Sequence, residues 1–166
     1  MTSQQAVQLA RECLETITPL ESDCGAKCGG ACCRSMEGEE TGMLLFPGEE
    51  AFYAQREGWK LLHGSAGSVI VCPGHCERSQ RPLSCRLFPL LPVVRSGEVR
   101  AAMDQRARAV CPLFVCGVRG MREEFREAVR EAGRILMETE ETKDMLMRLT
   151  AQQDELKALR KTFGME

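Results

Sequence analysis

The chain has 166 residues, of which 43% are hydrophobic, 5% are aromatic and 28% are charged, and its formal net charge is −2. This length suits one domain with helical additions at most, and so small a net charge argues against nucleic acid as a partner. The apolar stretches are short and interrupted, which excludes a transmembrane helix, and we expect no membrane partner.

The first third of the chain is predicted to contain a helix, a long loop, a strand and a second helix. Apolar residues recur at helical spacing over residues 4–17 and predict an amphipathic helix there. Residues 21–40 are rich in Gly and Cys and are predicted to form a loop with little regular structure. A candidate strand over residues 43–46 follows, and Pro47 then opens a helix that Gly58 ends.

The rest of the chain is predicted to contain strands first and helices last. Residues 68–72 indicate a buried strand, and one helical turn is expected at 83–87. Two apolar runs separated by Arg-Ser-Gly predict a hairpin over residues 91–103. The charged region 119–162 contains two apolar stripes at helical spacing and is predicted to form two helices, with Thr142 as the candidate N-cap of the second.

Ten cysteines dominate the chemistry of the chain. Nine of them are candidate metal ligands and lie in three groups: Cys24, Cys28, Cys32 and Cys33; Cys72, Cys76 and Cys85; Cys111 and Cys116. The tenth, Cys13, lies beside the apolar stripe of the first helix and is interpreted as a structural thiol. The N-terminus lacks the basic-then-apolar order of a secretory signal. We therefore expect a cytoplasmic protein, in which clustered thiols stay reduced and bind metal instead of forming disulfides.

Zinc ions and iron–sulfur clusters both bind to tetrahedral sets of thiolates that several short loops supply. Nine thiols can complete two such sites with one to spare, or one site accompanied by several structural cysteines. The adjacent Cys32 and Cys33 point in different directions in most backbone conformations, so we expect only one of them at a given ion. The other packs or joins a second metal. The residues themselves leave the choice between zinc and iron open.

Other cysteine chemistries match the spacing poorly. The first group reads C-x3-C-x3-C-C, which differs from the C-x3-C-x2-C motif of radical enzymes, and a thioredoxin-like C-x-x-C is absent from the sequence. The nucleophile elbow of hydrolases is missing as well. Only His63 and His75 could form a Cys–His catalytic pair. No catalytic residue is therefore assigned, and whether the chain is an enzyme stays open.

Arginine is concentrated around the second and third groups of cysteines. Between residues 78 and 108 the sequence has seven arginines, no lysine and two acidic residues, so this segment carries a charge of +5. Such a segment can be ordinary solvated surface, or it can compensate the negative charge of a thiolate centre. It can also hold an anionic ligand through bidentate guanidinium contacts. The three interpretations cannot be separated from the residues alone.

Three segments of the chain resemble a known family. They are CGAKCGGACCR at residues 24–34, the Pro-Gly-Glu-Glu run at 47–50 and VCPGHCERSQRPLSCRLFP at 71–89. Together they are similar to the YkgJ-like (CxxCxxCC) cysteine-cluster family, which is described as a zinc- or iron-chelating domain. The signature R-P-x-x-C-R-x-F-P of that family is matched residue by residue by Arg81, Pro82, Cys85, Arg86, Phe88 and Pro89. The resemblance covers roughly residues 21–115, although both intervals in the first group are three residues long where the family name implies two.

The resemblance implies a ligand set and two cofactor contacts. The core set is Cys24, Cys28, either Cys32 or Cys33, and Cys85, and the remaining clustered cysteines complete it or form a second site. Arg81 and Arg86 are the candidate cofactor-binding residues, because a guanidinium there would neutralise the charge of the centre or hydrogen-bond nearby carbonyls. Relatives also include flagellin lysine-methylating proteins, in which a similar cluster lies within a much longer chain.

These observations predict an α+β fold, with a small irregular core organised by metal, short antiparallel strands, an N-terminal helix and a C-terminal helical hairpin. We expect a cysteine-cluster metal-binding domain over residues 1–118. A helical extension over residues 119–166 packs on it or pairs with another copy in a homodimer. The predicted function is the binding of zinc or of an iron–sulfur cluster. Two alternatives stay open: a redox or electron-transfer iron–sulfur protein, and an accessory or enzymatic subunit in a protein modification such as methylation.

Overall fold

The computed structural model describes residues 1–34 and 42–165 and has the predicted α+β fold. Its α-helices are α1 (Ser3–Glu12), α2 (Cys24–Cys28), α3 (Glu50–Tyr53), α4 (Leu83–Leu87), α5 (Glu123–Leu136) and α6 (Glu140–Thr162). The strands are β1 (Met43–Leu44), β2 (Lys60–Gly64), β3 (Gly67–Val71), β4 (Leu90–Arg95) and β5 (Glu98–Met103). Short 3-10 helices occupy Ala31–Cys33, Arg78–Gln80, Gln105–Ala109, Pro112–Cys116 and Val118–Gly120.

The strands form two small antiparallel sheets. In the first, β3 lies between β1 and β2, and Ile70 of β3 pairs with both Met43 and Leu61. The second is the β4–β5 hairpin, which confirms the hairpin predicted over residues 91–103. Ser96 and Gly97 at its turn both have positive φ angles, of 51° and 79°, as a two-residue turn between twisted strands requires.

Helices α1, α5 and α6 pack with α4 and β4 around the main hydrophobic core. The apolar stripe predicted for the first C-terminal helix is confirmed, because Phe125, Val129, Ala132 and Leu136 are all fully buried in α5. The helix crosses the β4–β5 hairpin at Gly133. A Cβ atom there would lie 2.5 Å from the Val99 side chain and 2.6 Å from that of Pro92, so this close approach needs a glycine.

The long helix α6 buries a partly polar face. Its first turns bury Met145 and Leu149 as predicted, but Leu156 is only half-buried and Leu159 is 48% exposed. Farther along the helix, the buried residue is the polar Gln153, whose side-chain oxygen accepts a hydrogen bond from the Gln105 backbone N–H at 2.6 Å. The predicted pairing of this helix with another copy of the chain stays a prediction. None of the helices within residues 1–34 and 42–165 is both long enough and apolar enough to cross a lipid bilayer.

Several predicted boundaries are wrong at the ends of elements. Helix α1 ends at Glu12 instead of residue 17, and the guanidinium of Arg78 bonds the Leu14 and Ile17 carbonyls of the segment that follows. The cap of α6 is Thr139, whereas Thr142 lies inside the helix and donates its hydroxyl to the Leu136 carbonyl.

Three more elements in the first half of the chain differ from prediction. Helix α3 begins at Glu50 and not at Pro47, and the predicted loop over residues 21–40 contains α2 and a 3-10 turn, with residues 35–40 lying outside the described residues. Strand β2 was not predicted, since four of its five residues are exposed and it lacks the apolar alternation of a half-buried strand.

A buried carboxylate joins β1, α3 and α4. The side chain of Glu49 has no exposed surface. Its oxygens accept hydrogen bonds from the backbone N–H groups of Leu83 at 2.8 Å and of Phe46 at 3.0 Å. The nearest guanidinium, that of Arg11, is 4.0 Å away. Burial outweighs these favourable contacts and raises the pKa of Glu49 to about 7.

We expect Glu49 to make the free energy of unfolding depend on pH. Because its pKa is higher in the folded protein than in the unfolded chain, its contribution is fully present below about pH 4.5 and is lost as the pH rises through about 7. The loss amounts to about 3 kcal/mol for this difference in pKa. Urea denaturation at a series of pH values measures it.

The variant Glu49→Gln should flatten this pH dependence. Below about pH 4.5 it should also lower stability by about 1–3 kcal/mol, because an amide N–H then faces a backbone donor, and this difference from the parent should shrink as the pH rises through about 7. The matched control is Glu57→Gln, since Glu57 is exposed in the turn after α3. An unchanged pH profile in Glu49→Gln would contradict the raised pKa.

Candidate metal centre

A single cavity of about 180 Å³ gathers eight of the ten cysteines. The cysteines that line it are Cys24, Cys28, Cys32, Cys33, Cys72, Cys76, Cys85 and Cys111. The other two cysteines lie outside the cavity. Cys116 is exposed and does not line the cavity, and Cys13 packs against the main hydrophobic core, as expected for a structural thiol. The structure thus brings together eight of the nine candidate ligands.

Helix α2 forms the first wall of the cavity. Asp23 caps it, because its carboxylate accepts a hydrogen bond from the Gly25 N–H at 3.3 Å. Cys24 and Cys28 are four residues apart on this helix, so their side chains lie on the same face. The Cys28 thiol donates to the Cys24 carbonyl at a distance of 3.6 Å.

Two glycines turn the chain back after α2. Gly29 and Gly30 have φ angles of 62° and 67°, a conformation that favours glycine, and the 3-10 helix Ala31–Cys33 follows them. Arg34 closes the turn by donating to the Gly29 carbonyl at 2.9 Å. Both vicinal thiols thereby reach the cavity.

The second wall is the segment between β3 and α4. Strand β3 ends at Val71 and delivers Cys72 to the cavity, and Pro82 caps α4 so that Cys85 follows within its first turn. The Tyr53 hydroxyl donates to the Gln80 carbonyl at 2.9 Å and helps to hold this segment.

Cys111 belongs to a third wall. It is the N-cap of the 3-10 helix Pro112–Cys116, and its N–H donates to the Ala107 carbonyl at 2.7 Å. At the other end of that helix Cys116 packs on Gly120, where an added Cβ atom would lie only 2.4 Å from the Cys116 Cβ. The five-residue helix therefore points Cys111 into the cavity and leaves Cys116 outside.

Burial keeps several cavity thiols protonated. It raises the pKa of Cys85, and the charges of Cys76, Cys33 and Cys72 raise it further. Burial is also the largest cause of the raised pKa values of Cys24, Cys76 and Cys111. A thiol must lose its proton to bind a metal, so a cation in the cavity would reverse these shifts and release protons.

The vicinal thiols differ from the others. A hydrogen bond from Cys32 lowers the pKa of Cys33 to about 6, burial opposes this effect, and the nearby guanidinium of Arg81 supports it. The same hydrogen bond raises the pKa of Cys32. Cys33 is thus the thiol that is ionised most easily at neutral pH among those with shifted pKa values.

Apolar side chains complete the cavity between the thiols. They include Met43, Trp59, Ile70, Phe88 and Leu113. Trp59, the only tryptophan of the chain, also stacks on Tyr53 with 5.2 Å between the ring centroids. Sequence reasoning missed Trp59, because a lone aromatic residue between two predicted elements carries no periodic signal.

The cavity thiols do not converge on one point. Within residues 1–34 and 42–165, no group of three or more Cys, His, Asp or Glu side chains is close enough together to hold a metal ion as it stands. His63 instead forms a hydrogen bond with Ser68 at 3.1 Å. The thiols surround a space, and a metal centre would have to fill it or draw the walls together.

The two candidate cofactor-binding arginines have different surroundings. Arg86 is only 2% exposed, and its guanidinium donates to the carbonyls of Arg11, Ser79 and Arg81 and to the carboxylate of Glu15. It therefore bonds the carbonyls of the cysteine-bearing segment, one of the two roles considered for it. Arg81, in contrast, lines the cavity and forms a hydrogen bond with the Cys76 thiol.

Most of the arginine-rich segment is also engaged within the protein. Besides Arg78 and Arg86, ion pairs join Arg95 to Asp154, Arg100 to Glu98 and Arg106 to Asp104. The prediction of an anionic ligand at residues 78–108 stays a prediction. Arg81 is the arginine of the segment that the cavity exposes to such a ligand or to a metal centre.

The variant Arg86→Met should destabilise the protein, and Arg81→Met should not. The first removes the guanidinium hydrogen bonds to three backbone carbonyls and the ion pair with Glu15, so we expect the free energy of unfolding to fall by at least about 2 kcal/mol. The second removes a side chain that faces the cavity, so the change should stay below about 1 kcal/mol. Urea denaturation of the reduced, metal-free protein measures both, and equal losses would contradict the different roles assigned to these arginines.

Iodoacetamide should label Cys33 at a rate that follows a titration with a midpoint near pH 6 in the reduced, metal-free protein. The variant Cys32→Ala should move the midpoint upward, because it removes the hydrogen bond that stabilises the thiolate. Cys116→Ala is the control, since Cys116 does not line the cavity. Peptide mass spectrometry locates the label, and a midpoint unaffected by Cys32→Ala would contradict this account.

Comparison of the chain with models of known families, with curated proteins and with solved structures finds no match. The resemblance to the YkgJ-like family therefore stays a prediction. It depends on the residues of the R-P-x-x-C-R-x-F-P signature, of which Arg81, Pro82, Cys85, Phe88 and Pro89 line the cavity and Arg86 anchors the segment from behind.

Proposed function

We propose that this chain is a metal-binding protein whose clustered cysteines hold zinc or an iron–sulfur cluster. The observation that carries the proposal is the cavity into which eight thiols from three separate segments face. Thiolates are the ligands that zinc and iron–sulfur centres share. The ten cysteines all lie within the described residues and are free thiols, which agrees with a reducing compartment, and we propose the cytoplasm.

Four cysteines form the inner ligand set of the proposed centre: Cys33, Cys72, Cys76 and Cys85. Burial raises the pKa of Cys85, the charges of the other three raise it further, and all four side chains line the cavity. Close contact between the two supplying loops supports the grouping, because a Cβ atom on Gly74 would lie 3.6 Å from the Cys33 carbonyl. This set shares Cys33 and Cys85 with the set implied by the family resemblance, but has Cys72 and Cys76 in place of Cys24 and Cys28.

The charge of the centre has partners at the cavity. Four thiolates around a divalent ion carry a net charge of −2. Arg81 donates to Cys76 and also lies near Cys33, and Lys27 lines the cavity. The apolar wall formed by Phe88 and Leu113 lowers the local dielectric and strengthens these attractions. Arg81 is thus the residue that we propose for cofactor contact, while Arg86 supports the segment.

The size of the cavity favours an iron–sulfur cluster over a lone ion. A zinc ion lies about 2.3 Å from each of its sulfur ligands and needs no separate space. The cavity has a volume of about 180 Å³, which equals several water molecules at about 30 Å³ each. A polynuclear core would occupy such a space, and it would add a redox function to the proposed metal binding. Reversible bleaching of a visible absorption band by a reductant would support that second candidate function.

Anaerobic purification followed by elemental analysis and absorption spectroscopy tests the proposal. We expect Cys76→Ser to lose the metal that the parent protein holds, and the parent should change its Trp59 fluorescence on metal removal, because Trp59 lines the same cavity. Cys13→Ala is the matched control and should keep the full metal content, since Cys13 packs in the main core. A parent protein that binds neither zinc nor iron would overturn the proposal.

A further inference from the structure

Strand β2 forms one edge of the three-stranded sheet. Among residues 1–34 and 42–165 it has a paired strand, β3, on one side only. Its pairing with β3 runs without interruption over all five residues, so no bulge turns the edge away. The strand contains no proline, and four of its residues are exposed. Apart from its short length and Lys60, β2 therefore lacks the features that keep sheet edges from pairing.

The register decides which backbone groups this edge presents. A two-residue turn joins β2 to β3 and is flanked by a hydrogen-bonded pair, and such pairs alternate with non-bonded ones along an antiparallel ladder. The even-numbered residues of β2 therefore bond β3, while Leu61 and His63 direct their N–H and C=O groups away from it. On the far side of β3 the Leu45 N–H donates to the Ser68 carbonyl at 2.8 Å, which agrees with this alternation.

The outward backbone groups of Leu61 and His63 are open. No hydrogen bond joins them to any other part of the chain that the structure describes. The His63 ring leans toward β3, because its Nδ1 bonds the Ser68 hydroxyl at 3.1 Å, and so it leaves the edge uncovered. Two donors and two acceptors are thus available to a strand that approaches from outside.

One face of the sheet carries an apolar row that ends at the same edge. Val69 in β3 pairs with Leu44 on one side and with Leu62 on the other, so the three side chains lie next to one another on that face. Leu44 and Val69 are half-buried, whereas Leu62 is 36% exposed. The row therefore stops at an exposed leucine in the middle of β2.

We propose that β2 is the docking edge for a second copy of this chain, with the two β2 strands antiparallel about a twofold axis at Leu62. In this register Leu61 of each copy pairs with His63 of the other. Each such pair exchanges two N–H···O=C bonds, so all of the open groups are used. The two three-stranded sheets then form one continuous sheet.

Self-complementarity favours a second copy as the partner. Leu62 meets Leu62 of the other copy in a non-hydrogen-bonded pair, the type that brings side chains closest, and the apolar row continues across the axis. Lys60 lies opposite Gly64 of the other copy, so no like charges face each other. The contact is also isologous and closes at a dimer.

The dimer is expected to be weak and concentration-dependent. A pair of five-residue strands buries far less surface than the interface of a permanent dimer. The net charge of −2 adds little repulsion between copies. This surface differs from α6, for which pairing was predicted from the sequence, and it does not depend on the proposed metal centre.

Sedimentation velocity of the full chain over a series of concentrations tests the proposal. The protein is purified anaerobically and kept with a thiol reductant, so that the exposed Cys116 forms no cross-link. We expect a reversible monomer–dimer equilibrium. Hydrogen exchange followed by mass spectrometry should show slower exchange in the β2 peptide as the concentration rises, and unchanged exchange in the β4 peptide.

Charges at the axis provide the sharpest test. Leu62→Lys and Leu62→Glu should each weaken dimerisation by at least about tenfold, because like charges then face each other across the axis. Mixing the two variants should restore association, since opposite charges now meet. Leu159→Lys is the matched control, because Leu159 is an exposed leucine of α6, and it should dimerise as the parent does.

A proline substitution tests the backbone bonds. His63→Pro removes an outward N–H without taking a bond from β3, whereas His63→Thr removes the ring and keeps the N–H. The first should weaken dimerisation and the second should not. Circular dichroism checks the fold of each variant, and should a variant misfold, the exchange of the parent β2 peptide still decides.

Several results would overturn the proposal. They are a parent protein that stays monomeric at every concentration, an assembly larger than a dimer, and a mixture of the Leu62 variants that fails to associate. Loss of the dimer in Leu159→Lys but not in Leu62→Lys would place the contact on α6 instead. A protein that holds no metal and still dimerises through β2 would overturn the proposed function alone.

Discussion

The buried guanidinium of Arg86 is the interaction on which the site depends. The segment between β3 and α4 contributes few residues to the main core, so hydrophobic packing alone does not position it. Arg86 bonds the carbonyls of Ser79 and Arg81 within this segment and that of Arg11 in α1. Arg78 adds bonds to the chain that follows α1. A buried charge is stable only when its donors are satisfied, and here backbone carbonyls satisfy them.

This anchor determines where Cys85 lies. Cys85 and Arg86 are adjacent in α4, and they face opposite ways, one toward the cavity and the other toward α1. The buried carboxylate of Glu49 fixes the start of the same helix through the Leu83 N–H. Polar bonds thus hold the rear of the second wall while its front carries thiols.

Much of the fold followed from local patterns. The hairpin predicted over 91–103 and the apolar stripe of α5 were correct because alternation and helical spacing report directly on burial. Strand β2 was missed because it is mostly exposed, and the end of α1 was misplaced because Arg78 takes the carbonyls beyond it. Capping by Thr139 instead of Thr142 also depends on packing that the sequence does not display.

By itself the sequence determined the chemistry that is available: cysteines in three groups, an arginine-rich segment and helices at both ends. Residue type and spacing fix such properties locally. Only the tertiary structure decided which thiols line one cavity, since Cys85 and Cys111 join the first group there from distant segments and Cys116 stays outside. It also placed Arg81 at the cavity and Arg86 against α1. Arg81 precedes α4, whereas Arg86 lies within α4 and bonds the Arg11 carbonyl.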